Sequence, residues 1–563
     1  MNFIEPLESR IAPAVTSSFA AGILSIGGDN GDNTVTITEL ATPGSYHVDG
    51  LAAGETTDFT SVISIAANLR DGVDALIFNG DVTVGTALSK DLSVTARGAL
   101  TVTVNANVNI KGIMDIQHGG GPGTPALTAT IQGAGTTVGQ LVIHDGQGDS
   151  TLNFGAGARV LKTVVVDGGG GNGNDAAHFD DALIGGAITK TDFGKGSDQL
   201  TINNSRVGGA VTFIANSDSP NFSIQTNSAV KGPVNVTYTG GGTSSVTLAG
   251  SLGNVNVTAG GGNDGVTFGN ANVFGKVTLK LGDGANSVTH GSSQTSGNVS
   301  ITGGTGATTV TVDAVSQIYG SLSVAAPLSS SLSVTLNMAT IGGKLTMLAG
   351  TGGDNLVATS STVTGGITAT LGAGTNSVTI DTISSFAGVT ITAGADADIV
   401  TATNLALRGT LSATLGDGAN SVSVRGSVGG VKLKTGIGSD TFELRNLFVR
   451  GATAITAGLG DDLVRIADGL FGAAFAFNAG DGSNTFDVEH LLADNDGVGT
   501  LFLGALTYKG GLNNDTVFLG LDAHDAAITM AAAKFTGGLG TNTLNDNFLI
   551  ALSTFAAPGF TIV

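Results

Sequence analysis

The chain has 563 residues, of which 41% are hydrophobic and 12% charged, with 90 glycines, 9 prolines and no cysteine. This composition excludes collagen, proline-rich linkers, disulfides, thiolate metal sites and cysteine nucleophiles, and it leaves ample apolar surface for a folded body. The formal net charge of −21 argues against nucleic acid and anionic membranes as partners, because both require a basic footprint.

Residues 1–20 read as a separate N-terminal tail or sorting segment. The opening MNFIEPLESRIAPAV carries acidic residues where a secretory signal carries positive charge, and it lacks an apolar core. No run approaches the ~18 apolar residues of a membrane span, so no membrane insertion is expected.

Residues 21–485 carry a repeat. Gly186, Gly209, Gly232, Gly253, Gly275, Gly297, Gly320, Gly343, Gly366, Gly388, Gly409, Gly430 and Gly451 open segments of similar pattern, 21 to 23 residues apart. Regular self-similarity of this length marks a solenoid. Within a segment the residues alternate: Val277, Leu279 and Leu281 stand against Lys276, Thr278 and Lys280, and Val389 and Ile391 against Thr390 and Thr392. Period two in Val, Ile and Thr predicts strand, and no stretch sustains a period of 3.6. The expected fold is all-β, a right-handed parallel β-solenoid of about 22 residues per coil with two or three short strands in each. The runs SVISIAANLR (61–70) and MAAAKF (530–535) are read as strand or loop.

Residues 486–563 read as irregular terminal coils and a C-terminal cap, since the corners at Asp515 and Asn542 are 27 residues apart. Phe471, Phe475, Phe477, Phe486, Phe502 and Phe518 predict a stacked aromatic core in this part of the chain.

The corners repeat Gly-x-Gly-x-(Asp or Asn)-x-apolar, as in FGKGSDQLTI (193–202), TGIGSDTFEL (435–444) and AGLGDDLVRI (457–466). Only 6 of the 44 acidic residues are glutamates, leaving 44 − 6 = 38 aspartates. Aspartate is favoured in turns, where it bonds nearby backbone, and it is also a hard oxygen ligand. Glycine supplies positive φ at a sharp corner, and an Asx side chain caps backbone N–H groups left free there. A structural Asx ladder and a row of cation sites both remain open on this pattern.

The stretches GKGSDQL (194–200), GGGNDGV (260–266), GIGSDTF (436–442), GLGDDLV (458–464) and GGLNNDTVF (510–518) resemble the Gly-Gly-x-Gly-x-Asp repeat of the RTX family. That resemblance implies Ca²⁺ held between coils at Asp149, Asp175, Asp198, Asp264, Asp354, Asp398, Asp440, Asp461, Asp462 and Asp515. The pattern departs from the family in having one motif per coil, and in placing Asn, Thr or Ser at many corners. Asp440 and Asp462 lie on adjacent coils with Asp461 beside them, and Asp149, Asp175 and Asp198 form a second run, so these two places are the expected foci of calcium. The segment FIEPLESRIAPAV (3–15) resembles the LEPR-XLL sorting segment of large exported bacterial proteins, through Glu5, Pro6, Leu7, Glu8 and Arg10.

No phosphate-loop, zinc-protease or nucleophile-elbow motif is present. The seven histidines are scattered and read as surface residues. Lys276, Lys280, Lys344, Lys432 and Lys434 recur on the outer face. The expectation is a non-enzymatic, exported structural solenoid of the cell surface or extracellular matrix, adhesive toward surface glycans or other matrix proteins and calcium-stabilised at its corners. The rival is a β-helix polysaccharide lyase or hydrolase.

Overall fold

The computed structural model describes residues 14–85, 90–119, 126–192, 194–313, 315–385, 387–490, 498–521, 526–546, 549–551 and 553–563. The residues of the LEPR-XLL resemblance, Glu5 to Arg10, lie outside these. The chain divides into two compact units, Met1–Gly275 and Lys276–Val563. Each is a parallel β-solenoid, with about 21 coils of about 22 residues in all and no helix among the described residues.

One coil of the second unit shows the plan. Leu345–Leu348, Asn355–Thr359 and Thr362–Val363 are its three strands. They pair in parallel with Ile367–Thr370, Ser377–Asp381 and Ser384–Ser385, with Leu345 opposite Ile367, a step of 367 − 345 = 22 residues. The first unit repeats the plan: Ile188–Asp192 pairs with Val211–Ala215, Ile188 opposite Val211, a step of 211 − 188 = 23. Alternation dictates the interior. Leu345, Met347, Leu356, Ala358 and Val363 are buried, and their partners Ile367, Ala369, Val378 and Ile380 stack on them from the next coil. Each inward residue thus meets a like residue one strand spacing of ~4.8 Å away, which fills the core without long-range complexity. The runs 61–70 and 530–535 contain the strands Ser64–Arg70 and Ala533–Thr536, not helix.

The glycines act mainly through close approach. A Cβ on Gly416 would stand 1.7 Å from the Gly394 carbonyl oxygen, so neighbouring coils meet there backbone to backbone. A second corner needs the left-handed conformation in almost every coil, and it is filled mostly without glycine. Asn204 (φ 43°), Asn227 (φ 65°) and Asn270 (φ 56°) occupy it in the first unit, Asn404 (φ 50°) and Asn446 (φ 48°) in the second. Asparagine tolerates this region better than other side-chain-bearing residues.

The solenoid does not run unbroken from residue 21. Ile23–Gly27 stacks in parallel on Ser64–Arg70, but Thr16–Ala20 folds back on it antiparallel. Thr34–Glu39 likewise pairs antiparallel with Tyr46–Asp49, and that strand with Asp58–Phe59. Antiparallel hairpins need only tight turns, so they can occupy strand groups that a first coil would otherwise leave unpaired. Toward the other end the coils lengthen: Thr485 pairs with Thr516 and Thr516 with Thr543, steps of 516 − 485 = 31 and 543 − 516 = 27. Phe471, Phe475, Phe477, Phe486 and Phe502 are buried, and the Phe471 and Phe502 rings stack at 5.1 Å. Phe518 is the exception. Val517 and Leu519 take the inward places of its strand, so Phe518 faces outward and stacks on His490 at 4.5 Å.

Candidate metal centre

The corner Asx residues of the second unit form a staircase of hydrogen bonds. Asp354 Oδ1 accepts the N–H of Leu332 at 2.7 Å, and Asn376 Oδ1 accepts that of Asp354 at 3.0 Å. Asp398 accepts from Asn376 at 3.0 Å, Asn420 from Asp398 at 3.0 Å, and Asp440 from Asn420 at 2.8 Å. Asp462 accepts from Asp440 at 2.9 Å, Asn484 from Asp462 at 3.0 Å, Asp515 from Asn484 at 3.1 Å, and Asn542 from Asp515 at 2.9 Å. Each rung therefore satisfies the main chain of the rung before it, which is what a buried N–H at a corner requires.

Asparagine and aspartate rungs differ in their second atom. Asn376 Nδ2 donates to the Gly374 carbonyl at 2.8 Å and to Asp398 Oδ1 at 2.8 Å. Asn420 Nδ2 makes the corresponding bonds to Gly418 and Asp440, both at 3.0 Å. At Asp354, Asp398, Asp440 and Asp462 the second carboxylate oxygen is buried without a hydrogen-bond partner among the described residues. Burial raises all four above the ordinary carboxylate range. Asp462 is pushed furthest, to about 7, first by burial and then by Asp440 and Asp461.

Asp149 and Asp461 belong to a different row. Both are exposed, and each accepts a backbone N–H from the following coil, Asn174 at 2.8 Å and Ser483 at 2.7 Å. The inner place expected for Asp149 is taken by Ser150, whose hydroxyl donates to Asp175 Oδ1 at 2.6 Å. Asp264 is buried and accepts the Ser244 hydroxyl.

One group of three acidic side chains converges among the described residues: Asp175, Asp192 and Asp198, with one oxygen of each within 4.8 Å of the others. They are 2%, 1% and 1% exposed. Asp175 and Asp198 come from the corner motif, whereas Asp192 ends the strand Ile188–Asp192, whose inward residues are Ile188, Lys190 and Asp192. Lys190 is fully buried, with Nζ 3.7 Å from Asp192 Oδ2 and 5.5 Å from the centre of the Phe213 ring. Asp192 Oδ1 accepts the Gly194 N–H at 2.8 Å, but Oδ2 of Asp192 and Oδ2 of Asp198 have no hydrogen-bond partner among the described residues. Burial, then the Asp175 carboxyl, pushes Asp192 up to about 7, and burial, then Asp192, pushes Asp198 up to about 6. The space is tight: a Cβ on Gly168 would stand 2.3 Å from Asp192 Oδ2.

Sequence reading placed Asp175 and Asp198 here and missed Asp192 and Lys190. The signal was present in ITKTD (188–192), where alternation turns Lys190 and Asp192 inward with Ile188. The reading of histidines as surface residues is also corrected. His118 is buried, its Nδ1 2.5 Å from Asp145 and its Nε2 2.7 Å from the Gly98 carbonyl. Burial works to lower its pKa, but the Asp145 carboxylate and the Gly98 carbonyl together outweigh burial, and the net direction is upward. His290 is buried too, and burial pushes it down to about 4.

The oxygen donors at Asp175, Asp192 and Asp198 suit a hard cation, and two of them are buried and unpartnered. Lys190 already supplies one positive charge to the group. The second-unit rungs fit less well, because each offers a single free oxygen and most are separated by an asparagine rung. No family model matches the chain, and neither the curated proteins nor the solved structures yield a match.

Proposed function

We propose that the chain is an exported structural β-solenoid of the cell surface or extracellular matrix, non-catalytic and adhesive toward surface glycans or matrix proteins. The staircase is the observation that carries this reading. From Asp354 to Asn542 every corner Asx side chain is engaged with the backbone of an adjacent coil. Chemistry of that kind serves a repeating scaffold, because it makes each coil the template of the next. The acidic charge and the export-like N-terminal resemblance support the surface location. Fractionation of native cells tests it: recovery in the surface or extracellular fraction is expected, and recovery solely from cytosol overturns it. Turnover of an acidic or neutral polysaccharide by the purified chain would favour the lyase or hydrolase instead.

The calcium stabilisation belongs at one corner in this proposal. Asp175, Asp192 and Asp198 would hold the ion, which would supply a positive charge to the unpartnered oxygens and so tie together the coils they come from. Removing calcium with a chelator is expected to lower the melting temperature of the wild type but not of an Asp192→Asn, Asp198→Asn double variant. A melting temperature indifferent to chelator would remove calcium from the account.

A further inference from the structure

The first unit carries a groove of about 730 Å³ lined by the outer positions of successive short strands, from Leu183 to Asn272. The strand register places Leu183, Arg206, Ala229, Ser251 and Asn272 in one row across five coils. Beside it the hydrogen-bond register makes a second row of Gly185, Gly208, Lys231, Gly253 and Phe274. The glycines are imposed by packing, since a Cβ on Gly208 would stand 2.3 Å from the Gly185 carbonyl oxygen. Their missing side chains leave the trough.

The chemistry of this trough differs from that of the chain. Acids outnumber Lys and Arg by 44 to 23 overall, yet the lining residues include Arg206 and Lys231 and no carboxylate. Asn227, Asn270 and Asn272 supply amide donors and acceptors along it. Phe274, 64% exposed, continues the row of Lys231 two coils on. Asp180 and Asp181, at the adjoining corner, are engaged by Asn203 Nδ2 at 2.8 Å and Asn204 Nδ2 at 3.3 Å. At physiological salt the field of more distant acids is largely screened beyond ~8 Å.

We propose that this groove docks an extended anionic polysaccharide of uronate type, lying across the coils with about one sugar per coil. The repeat is commensurate: coils rise by ~4.8 Å, so the row from Leu183 to Asn272 spans roughly 19 Å, and each step is close to the length one pyranose adds to an extended chain. Arg206 and Lys231, on adjacent coils, face carboxylates of successive sugars. The asparagine amides meet ring hydroxyls, and the Phe274 ring offers an apolar platform for a sugar face. The inference deepens the glycan-binding side of the surface reading and rests on it for biological context. Its test is separate, because a cytosolic location would leave groove binding measurable and a failure to bind would leave the location standing.

The test uses the full chain and two oligosaccharides of about five residues: oligogalacturonate, and a neutral β-1,4-galactose oligomer of equal length. Calorimetric titration is expected to show binding of the uronate at least about tenfold tighter than the neutral oligomer. The Arg206→Ala, Lys231→Ala double variant, both sites being exposed, is expected to weaken uronate binding by about tenfold or more. Phe274→Ala is expected to weaken it severalfold. A control pair in the second unit, Lys432→Ala with Lys434→Ala, should leave it unchanged. The proposal is overturned if the uronate does not bind, if the neutral oligomer binds as well, or if the control pair loses as much as the groove pair. It is equally overturned if a single-stranded oligonucleotide of equal charge competes as effectively as the uronate.

Discussion

The corners of the two units use the same turn for different electrostatic ends. In the second unit the row that follows the first strand of each coil includes Ala326, Ala349, Leu371, Leu415, Thr435 and Ala457, all buried, and the half-buried Ala393. The aspartates there each spend one oxygen on the backbone of an adjacent rung, and their charged neighbours are other carboxylates, as Asp440 and Asp461 are for Asp462. In the first unit the same row passes through Gly168 and Asp192, and Lys190 lies two residues before Asp192. Three carboxylates then converge on one another beside a buried ammonium. An aspartate in this motif is thus a hydrogen-bonded rung or a ligand-like group according to what the adjacent strand end turns inward. The motif alone does not decide.

The largest expected effect breaks the first-unit corner. Lys190→Met keeps an apolar stem of similar length but removes the one cation that, among the described residues, lies within ion-pairing distance of Asp192. Truncating one partner of a buried ion pair typically costs about 3–5 kcal/mol, so a large drop in the urea midpoint is expected. If calcium occupies the corner, adding it should recover part of that loss. Equal loss with and without calcium would show that Lys190 is the corner's sole counter-charge. A smaller effect tests the staircase. Asn484→Ala removes the acceptor for the Asp462 N–H and the donor to the Gly482 carbonyl and Asp515. Leaving these buried groups unsatisfied should cost about 2–3 kcal/mol, with faster amide exchange at Asp462. Unchanged exchange there would mean that the rung is not coupled to its neighbour.

Most of the fold was legible in the chain because a solenoid repeats its instructions. The glycine spacing gave the coil length, and alternation such as Val277-Thr278-Leu279 gave the inward face. The hairpins before Ser64 were not legible, since Thr34–Glu39 alternates in the same way whether its neighbour is parallel or antiparallel. The site was half legible. Asp175 and Asp198 announce themselves through the motif, but Asp192 stands outside it. Asp149 was misplaced by one residue because GQGDS offers both an Asp and a Ser, and only the pleat decides that Ser150 points inward. A one-residue slip reverses the face, so the register of a repeat is least legible at such pairs.

The smallest expected effect concerns Asp440 and Asp462, the two acidic rungs on adjacent coils, and it separates protonation from calcium there. Asp462 titrates near 7 in the folded chain and near its usual 3.8 when unfolded. The native state therefore holds the proton more tightly. The stability this contributes is fully present below about pH 4 and is lost as the pH rises through about 7. Asp462→Asn has nothing to ionise, and its amide can donate where Asn420 and Asn484 do. At pH 4 the variant should match the wild type, and at pH 8 it should be more stable by about 1–2 kcal/mol, a discount on the full linkage for relaxation around the charge. Melting curves at the two pH values, each with chelator and with calcium, read this directly. If the wild type gains from calcium at pH 8 and the variant does not, the adjacent rungs are a cation site, as the RTX resemblance implies. If calcium changes neither, the adjacent rungs hold no cation, and the contrast between the two units is one between a hydrogen-bonded ladder and a ligand cluster.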